Sequence, residues 1–118
     1  MRVIEFSRER AQPIELFNSV AASSSPLGDG HGEAHFYCLY FGPGSQIGQH
    51  VAGFDQLFLV VAGEGWAAGP GEQRIKLMAG QGAYFTCGES HSKGSETGMT
   101  VIMVQVAKLR LSAPEITF

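Results

Sequence analysis

Short apolar runs separated by glycine-rich turns are the feature that most constrains this fold. Glycine supplies 16 of the 118 residues, about twice the usual share of ~7%. The runs are rich in β-branched and aromatic side chains and lie at residues 36–41, 57–61, 83–85 and 100–106. This composition is typical of strands, and the intervening FGPGS, AGEG and CGES segments have turn chemistry. The sequence therefore predicts an all-β chain of short antiparallel strands, arranged as a sandwich or barrel.

The chain length fits one domain, since 118 residues can bury a real core but leave little room for a second. We expect the core at about residues 34–107, with an N-terminal arm at 1–33 and a C-terminal extension at 108–118. Within the arm, VIEF (residues 3–6) predicts an edge strand, and residues 13–17 fit either a short strand or a helical turn. Residues 21–32 have the composition of a flexible loop.

Charge and apolar patterning exclude several classes of function. The net charge is −3 and no lysine–arginine cluster is present, which argues against binding the phosphate backbone of a nucleic acid. No apolar run approaches the ~18 residues of a membrane span, and the N-terminal residues lack the apolar region of a secretory signal. We therefore expect a cytoplasmic protein in which Cys38 and Cys87 are free thiols.

Charged residues are scarce, at 16% of the chain against a usual share of ~25%. A fair part of the surface must then be neutral or covered by a partner. The simplest partner is a second copy of the chain, so the composition predicts a homodimer.

Two segments carry the residues of greatest chemical interest. The first reads G-x5-H-x-A-x3-Q-x6-G and contains His50, Ala52 and Gln56. The second reads G-x5-T-x-G-x2-H-x3-S and contains His91. In a strand, residues i and i+2 project to one face, so such spacings aim several side chains at one point.

These segments resemble the two signature motifs of the cupin superfamily, G-x5-H-x-H-x3-E-x6-G and G-x5-P-x-G-x2-H-x3-N. The matching positions are the anchoring glycines and the two histidines: Gly44, Gly63, Gly80, Gly88, His50 and His91. The motifs cover about half the chain. The resemblance implies a cupin-like double-stranded β-helix, or jelly-roll barrel. It also implies a site at the barrel mouth for a divalent transition metal such as Zn, Fe, Ni, Mn or Cu, because imidazole and carboxylate suit those metals.

The first segment departs from that pattern where charge matters. Ala52 replaces the second histidine and cannot ligate, and Gln56 replaces the glutamate and offers only a neutral amide. A divalent ion held by His50, His91 and Gln56 would keep its full charge inside a partly apolar barrel, which is costly. The second segment departs more mildly, with Thr86 and Ser95 in place of proline and asparagine.

Neighbouring residues offer partial replacements. Cys87 could supply an anionic thiolate to Zn or Cu, and His35 could reach in from another strand. Asp55 is a weaker candidate, because a one-residue step from Gln56 points to the opposite face. Tyr84, if it points inward, would donate a hydrogen bond to a ligand. Lys93 and Glu89 stay unassigned, because their orientation depends on the regularity of the strand.

Three functions remain open from the sequence. The favoured one is a small-molecule-binding barrel in which His50, Gln56, His91 and Tyr84 hold a small polar or anionic molecule, with no obligate metal or a weakly held one. The second is a divalent-metal enzyme of the oxygenase, isomerase or hydrolase type that uses His50, His91 and Gln56. The third is metal-free acid–base catalysis by His50 or His91.

Overall fold

The computed structural model describes residues 1–116 and is almost entirely β-structure. Residues 2–5 form the first strand, and a single 3-10 turn follows at Arg8–Arg10. The strands, in chain order, are β1 (Arg2–Glu5), β2 (Gln12–Pro13), β3 (Ser23–Ser24), β4 (Gly28–Phe41), β5 (Ser45–Val51), β6 (Asp55–Ala68), β7 (Arg74–Met78), β8 (Gln81–Phe85), β9 (Ser90–Ser95) and β10 (Met99–Leu111). The all-β prediction is confirmed. Within the described residues, no helix is long and apolar enough to cross a membrane.

Two antiparallel sheets share the long strand β6. The first half of β6 lies in the order β1-β8-β6-β10-β4, and its second half pairs with β7 and β9, with β5 beyond β9. Between the two halves, Gly63 has φ +76, and a Cβ there would lie 2.3 Å from the Gly98 carbonyl oxygen. Only glycine tolerates both conditions, so Gly63 lets one strand serve both sheets.

Apolar side chains cover both faces of the first sheet. Between the sheets lies the main core, formed by Val3, Phe41, Phe58, Val60, Ala67, Leu77, Ala83, Phe85, Met99 and Val101. The outer face carries a second cluster of Ile4, Leu57, Leu59, Tyr84 and Ala113, over which residues of both ends of the chain pack. The alternation in β10 produces this division: Val101 belongs to the inner cluster, and its neighbour Ile102 packs on the outer one.

The N-terminal region is more ordered than its composition predicts. The edge strand expected at residues 3–6 is confirmed, since β1 pairs with β8 at the end of the first sheet. Residues 13–17 form neither predicted structure: Pro13 ends β2, and Phe17 and Asn18 form a turn with φ of 62 and 53. The pairing of β4 with β10 extends from Gly28 to Leu111, beyond residues 34–107 on both sides.

The flexible loop predicted for residues 21–32 is wrong at Ser23–Ser24, which form β3, and from Gly28 onward, where β4 begins. A Cβ at Gly28 would lie 2.5 Å from the Arg110 carbonyl oxygen, and one at Gly30 would lie 2.8 Å from a Val106 methyl. Gly28 therefore allows two backbones to approach closely, and Gly30 leaves room for the Val106 side chain. Composition alone does not distinguish these roles from flexibility.

Candidate functional site

A row of polar side chains crosses the inner face of the first sheet. His35 of β4 lies opposite Gln105 of β10, which lies opposite Gln56 of β6, which in turn lies opposite Phe85 of β8. Directly opposed residues project to the same face. Gln56 is 2% exposed and reaches the second sheet, so the row faces into the barrel. The Gln105 amide N–H donates to the Gln56 carbonyl oxygen at 3.5 Å.

The second sheet brings His50 and His91 to the same place. They lie opposite each other on β5 and β9, and their ring centroids are 4.4 Å apart. The His50 Nδ1 donates to the Gly48 carbonyl oxygen at 2.7 Å, and its side chain is exposed. His91 is 0% exposed. The pair therefore connects the solvent at the barrel mouth with the barrel interior.

His91 is held as a neutral imidazole. The Gln56 amide nitrogen lies 3.2 Å from its ring nitrogens and donates to the unprotonated one, and the Phe85 ring packs edge-on at 4.4 Å between centroids. Burial, followed by the nearby Lys93 and His50, lowers the pKa of His91 to about 3. Both nitrogens of a protonated His91 ring would be donors, and neither could accept the Gln56 N–H. The hydrogen bond and the lowered pKa of His91 therefore both favour the neutral ring.

Lys93 is the residue that the sequence leaves unassigned and the structure places inside. It lies two residues after His91 on β9 and is 2% exposed. Its Nζ lies 5.0 Å from the Phe58 ring centroid and 5.1 Å from that of Phe85. Burial lowers the pKa of Lys93 to about 8. The available signal was the i+2 spacing from His91, which places both side chains on one face of a regular strand.

Solved structures with the same arrangement of strands identify the fold. A cupin superfamily protein from Desulfitobacterium hafniense is 15% identical, with a TM-score of 0.59 and coverage of 92% of this chain and 100% of that one. A cupin-like protein from Thermotoga maritima is 16% identical, with a TM-score of 0.61 and coverage of 86% and 90%. An RmlC-like cupin from Methanocaldococcus jannaschii, described as a double-stranded β-helix, is 9% identical, with a TM-score of 0.58 and coverage of 81% and 87%. This chain has the cupin fold.

The comparison confirms the cupin-like double-stranded β-helix that the two motifs predict. No family profile matches the sequence, and no curated protein matches it. At these identities the structural likeness establishes the cupin fold and leaves the chemistry to the residues of this chain.

The cupin site here does not fit a divalent cation. Ala52, where a ligand is expected, is a 3% exposed core residue. Among residues 1–116, no group of three or more His, Cys, Asp or Glu side chains is placed to hold a metal ion. The donor facing His91 is the amide nitrogen of Gln56, and Lys93 places a positive charge nearby. A cation would therefore meet two imidazoles, no anion and another cation.

Neither of the proposed extra ligands joins the His50–His91 pair. The Cys87 thiol is exposed and donates to the Gly53 carbonyl oxygen at 3.4 Å. His35 does face the barrel, but its imidazole pairs with Glu33 and packs edge-on against Phe54 at 5.4 Å between centroids. Cys38 and Cys87 are both free thiols, as the sequence predicts.

Tyr84 and Asp55 lie outside the cupin barrel interior. Tyr84 lies opposite Leu57, the neighbour of Gln56, and its hydroxyl donates to the Leu109 carbonyl oxygen at 3.2 Å. Tyr84 therefore does not point into the barrel, as the sequence-based prediction of a ligand-binding role requires, because a one-residue step reverses the face. The Asp55 carboxylate accepts from the Cys87 N–H at 2.9 Å and the Leu109 N–H at 3.0 Å, which gives it a structural role.

Proposed function

We propose that this protein binds a small polar or anionic molecule at the mouth of its barrel, without dependence on a metal ion. The observation that carries the proposal is the network of neutral donors and acceptors around His91. His50, Gln56 and His91 form the set that would contact the ligand, and Gln105 extends it across the sheet. A few convergent polar groups in an otherwise apolar concave surface are typical of small-molecule sites.

The charge balance of the interior favours an anion over a cation. Lys93 is the buried charged side chain among the described residues, and no carboxylate pairs with it there. An anionic ligand would therefore enter a region of positive potential, and it would meet N–H donors from Gln56 and Gln105. The alternative, an oxygenase, isomerase or hydrolase that uses His50, His91 and Gln56 on a metal, requires the opposite balance. A cytoplasmic location remains a prediction from the sequence.

The direct test is a calorimetric screen of small carboxylic acids, sugars and amides against the purified protein, combined with elemental analysis of the same sample. We expect a ligand whose affinity survives treatment with a chelator. His50→Ala and Gln56→Leu should each weaken binding about tenfold or more, since each removes a hydrogen-bonding group from a partly desolvated site. His31→Ala, a change on the exposed part of β4, is the matched control.

One result would overturn this proposal: near-stoichiometric metal in the purified protein, with binding lost when the metal is removed. Ala52→His provides a further check on the metal-dependent alternative. The variant adds the imidazole that the motif lacks, so the metal-dependent alternative predicts tighter metal binding than in the wild type. Metal binding that is the same in the variant and the wild type would count against that alternative.

A further inference from the structure

Lys93 is a buried cation for which the described part of the chain supplies no counter-ion. Its side chain is 2% exposed, and the ion pairs formed by residues 1–116 involve other cations. Its Nζ lies over the rings of Phe58 and Phe85, at 5.0 and 5.1 Å from their centroids. Two aromatic rings stabilise an ammonium group in part, through the negative potential of their faces. They do not neutralise it.

The cost of this arrangement calls for an explanation. An uncompensated buried charge destabilises a protein, and a methionine or leucine would fill the same volume without that cost. The neighbours on the same face are already engaged. The Gln56 amide bonds to His91, and the Ser95 hydroxyl donates to the Glu64 carbonyl oxygen at 2.6 Å while accepting from the Gly98 N–H at 2.8 Å. Lys93, by contrast, is a buried charged side chain that forms no ion pair among residues 1–116.

We propose that the Lys93 ammonium is the counter-ion for the carboxylate of a short-chain organic acid that binds in the barrel. This inference rests on the proposed function and deepens it, because it names the class of ligand and the direction in which it lies. The carboxylate would lie innermost, at Lys93. The remaining polar group of the acid would lie toward Gln56, Gln105 and His50 at the mouth.

The depth of Lys93 limits the size of the acid. Lys93 lies two residues from His91 along β9, a separation of roughly 6.6 Å in a strand. The His91 and Phe85 rings lie on the same side, in edge contact at 4.4 Å between centroids. An acid of about two to four carbons spans that distance, whereas a longer or branched acid would have to displace the buried rings.

Acetate and its uncharged analogue acetamide are the probes for the test. Both would be titrated against the wild type and against Lys93→Met, with binding measured by calorimetry and by thermal unfolding. We expect acetate to bind the wild type and to raise its Tm, while acetamide binds far more weakly. In Lys93→Met, the affinity for acetate should fall about 30-fold or more, because a buried charge pair has lost one partner. Lys108→Met, which removes an exposed lysine, should bind acetate as the wild type does.

The ligand-free variant provides the reading that separates this role from a structural one. If the Lys93 charge is compensated only by a bound ligand, Lys93→Met removes an uncompensated buried charge and should raise the Tm of the ligand-free protein. The increase in Tm caused by acetate should be absent in this variant. A Lys93→Met protein that is less stable than the wild type, or that binds acetate equally well, would overturn the inference. Binding of a small molecule that Gln56→Leu weakens and Lys93→Met does not would leave the proposed function standing and the inference refuted.

Discussion

His91 is stabilised in one protonation state by its surroundings. Its ring is wholly buried, accepts a hydrogen bond from Gln56 and lies close to Lys93. A histidine that stays neutral in the folded protein but is protonated in the unfolded chain lowers the free energy of unfolding at acidic pH. The residue therefore links the stability of the barrel to pH, independently of any ligand.

The sign of this effect follows from the two pKa values of His91. The pKa is about 3 in the folded protein and 6.5 in the unfolded chain, so stability falls as the pH drops from about 6.5 toward 3. Between pH 7 and pH 5 the wild type should lose about 2 kcal/mol that His91→Gln does not lose. Urea unfolding at the two pH values measures the difference. His31→Gln should keep the wild-type slope, and an equal slope in His91→Gln would contradict a buried neutral imidazole.

Gln105 shows why the site is only partly predictable from the sequence. The motif spacing places His50, Gln56 and His91 together correctly, because that information lies along the chain. Gln105 joins them through the register of β10 against β6, which no local pattern specifies. The face on which Tyr84 lies is unspecified by the sequence for the same reason, since it depends on which residue of β6 Tyr84 opposes.

At the scale of the strands, glycine has three different roles. The motif glycines Gly44, Gly63, Gly80 and Gly88 all have positive φ. Gly44, Gly80 and Gly88 lie in turns between strands, as their glycine-rich segments predict. The turn predicted at AGEG is wrong, because Gly63 lies within β6. Gly28 and Gly30 instead allow β4 to approach β10 closely, although their glycine-rich composition predicts a loop. To distinguish a turn glycine from a close-packed strand glycine, the position of the neighbouring strand must be known. For this reason the sequence predicts where strands lie better than it predicts the residues at which they begin and end.

Gly94 has the third role, because it leaves room for a side chain and a backbone of the two neighbouring strands. A Cβ there would lie 2.6 Å from the Trp66 ring and 2.7 Å from the Ser45 carbonyl oxygen. We expect Gly94→Ala to lower the free energy of unfolding by about 2 kcal/mol, because the backbone oxygen cannot move aside without disturbing the pairing of β5 with β9. Gly48→Ala is the control. It lies on β5 with no heavy atom within 4 Å of the added Cβ, so its effect should stay within about 0.5 kcal/mol. Equal urea midpoints for the two variants would refute the close packing.

At the scale of the whole molecule, the outer face of β4 is open and apolar. Phe36 and Tyr40 are 70% and 81% exposed, and they lie on the same face as the partly buried Ile102 and Val104 of β10. β4 is 14 residues long and ends the order of the first sheet, so one of its edges has no strand partner within the described residues. A long edge strand beside exposed aromatic side chains favours association with another chain.

We therefore propose that the homodimer predicted from the low charge content forms through this face of β4. A two-fold axis would bring the same surface of each copy together, so each copy would supply Phe36 and Tyr40 to the interface. The double variant Phe36→Glu with Tyr40→Glu would bury four carboxylates in such an interface, and its mass by light scattering should be that of a monomer at concentrations where the wild type is a dimer. Val20→Glu is the matched control, because Val20 is an 86% exposed apolar residue outside β4, between β2 and β3, and its change should leave the dimer intact. A wild-type protein that is monomeric at high micromolar concentration, or a double variant that still dimerises, would exclude this interface. The readout is independent of the ligand site, since Phe36 and Tyr40 lie on the opposite face of the sheet from Gln56 and Gln105.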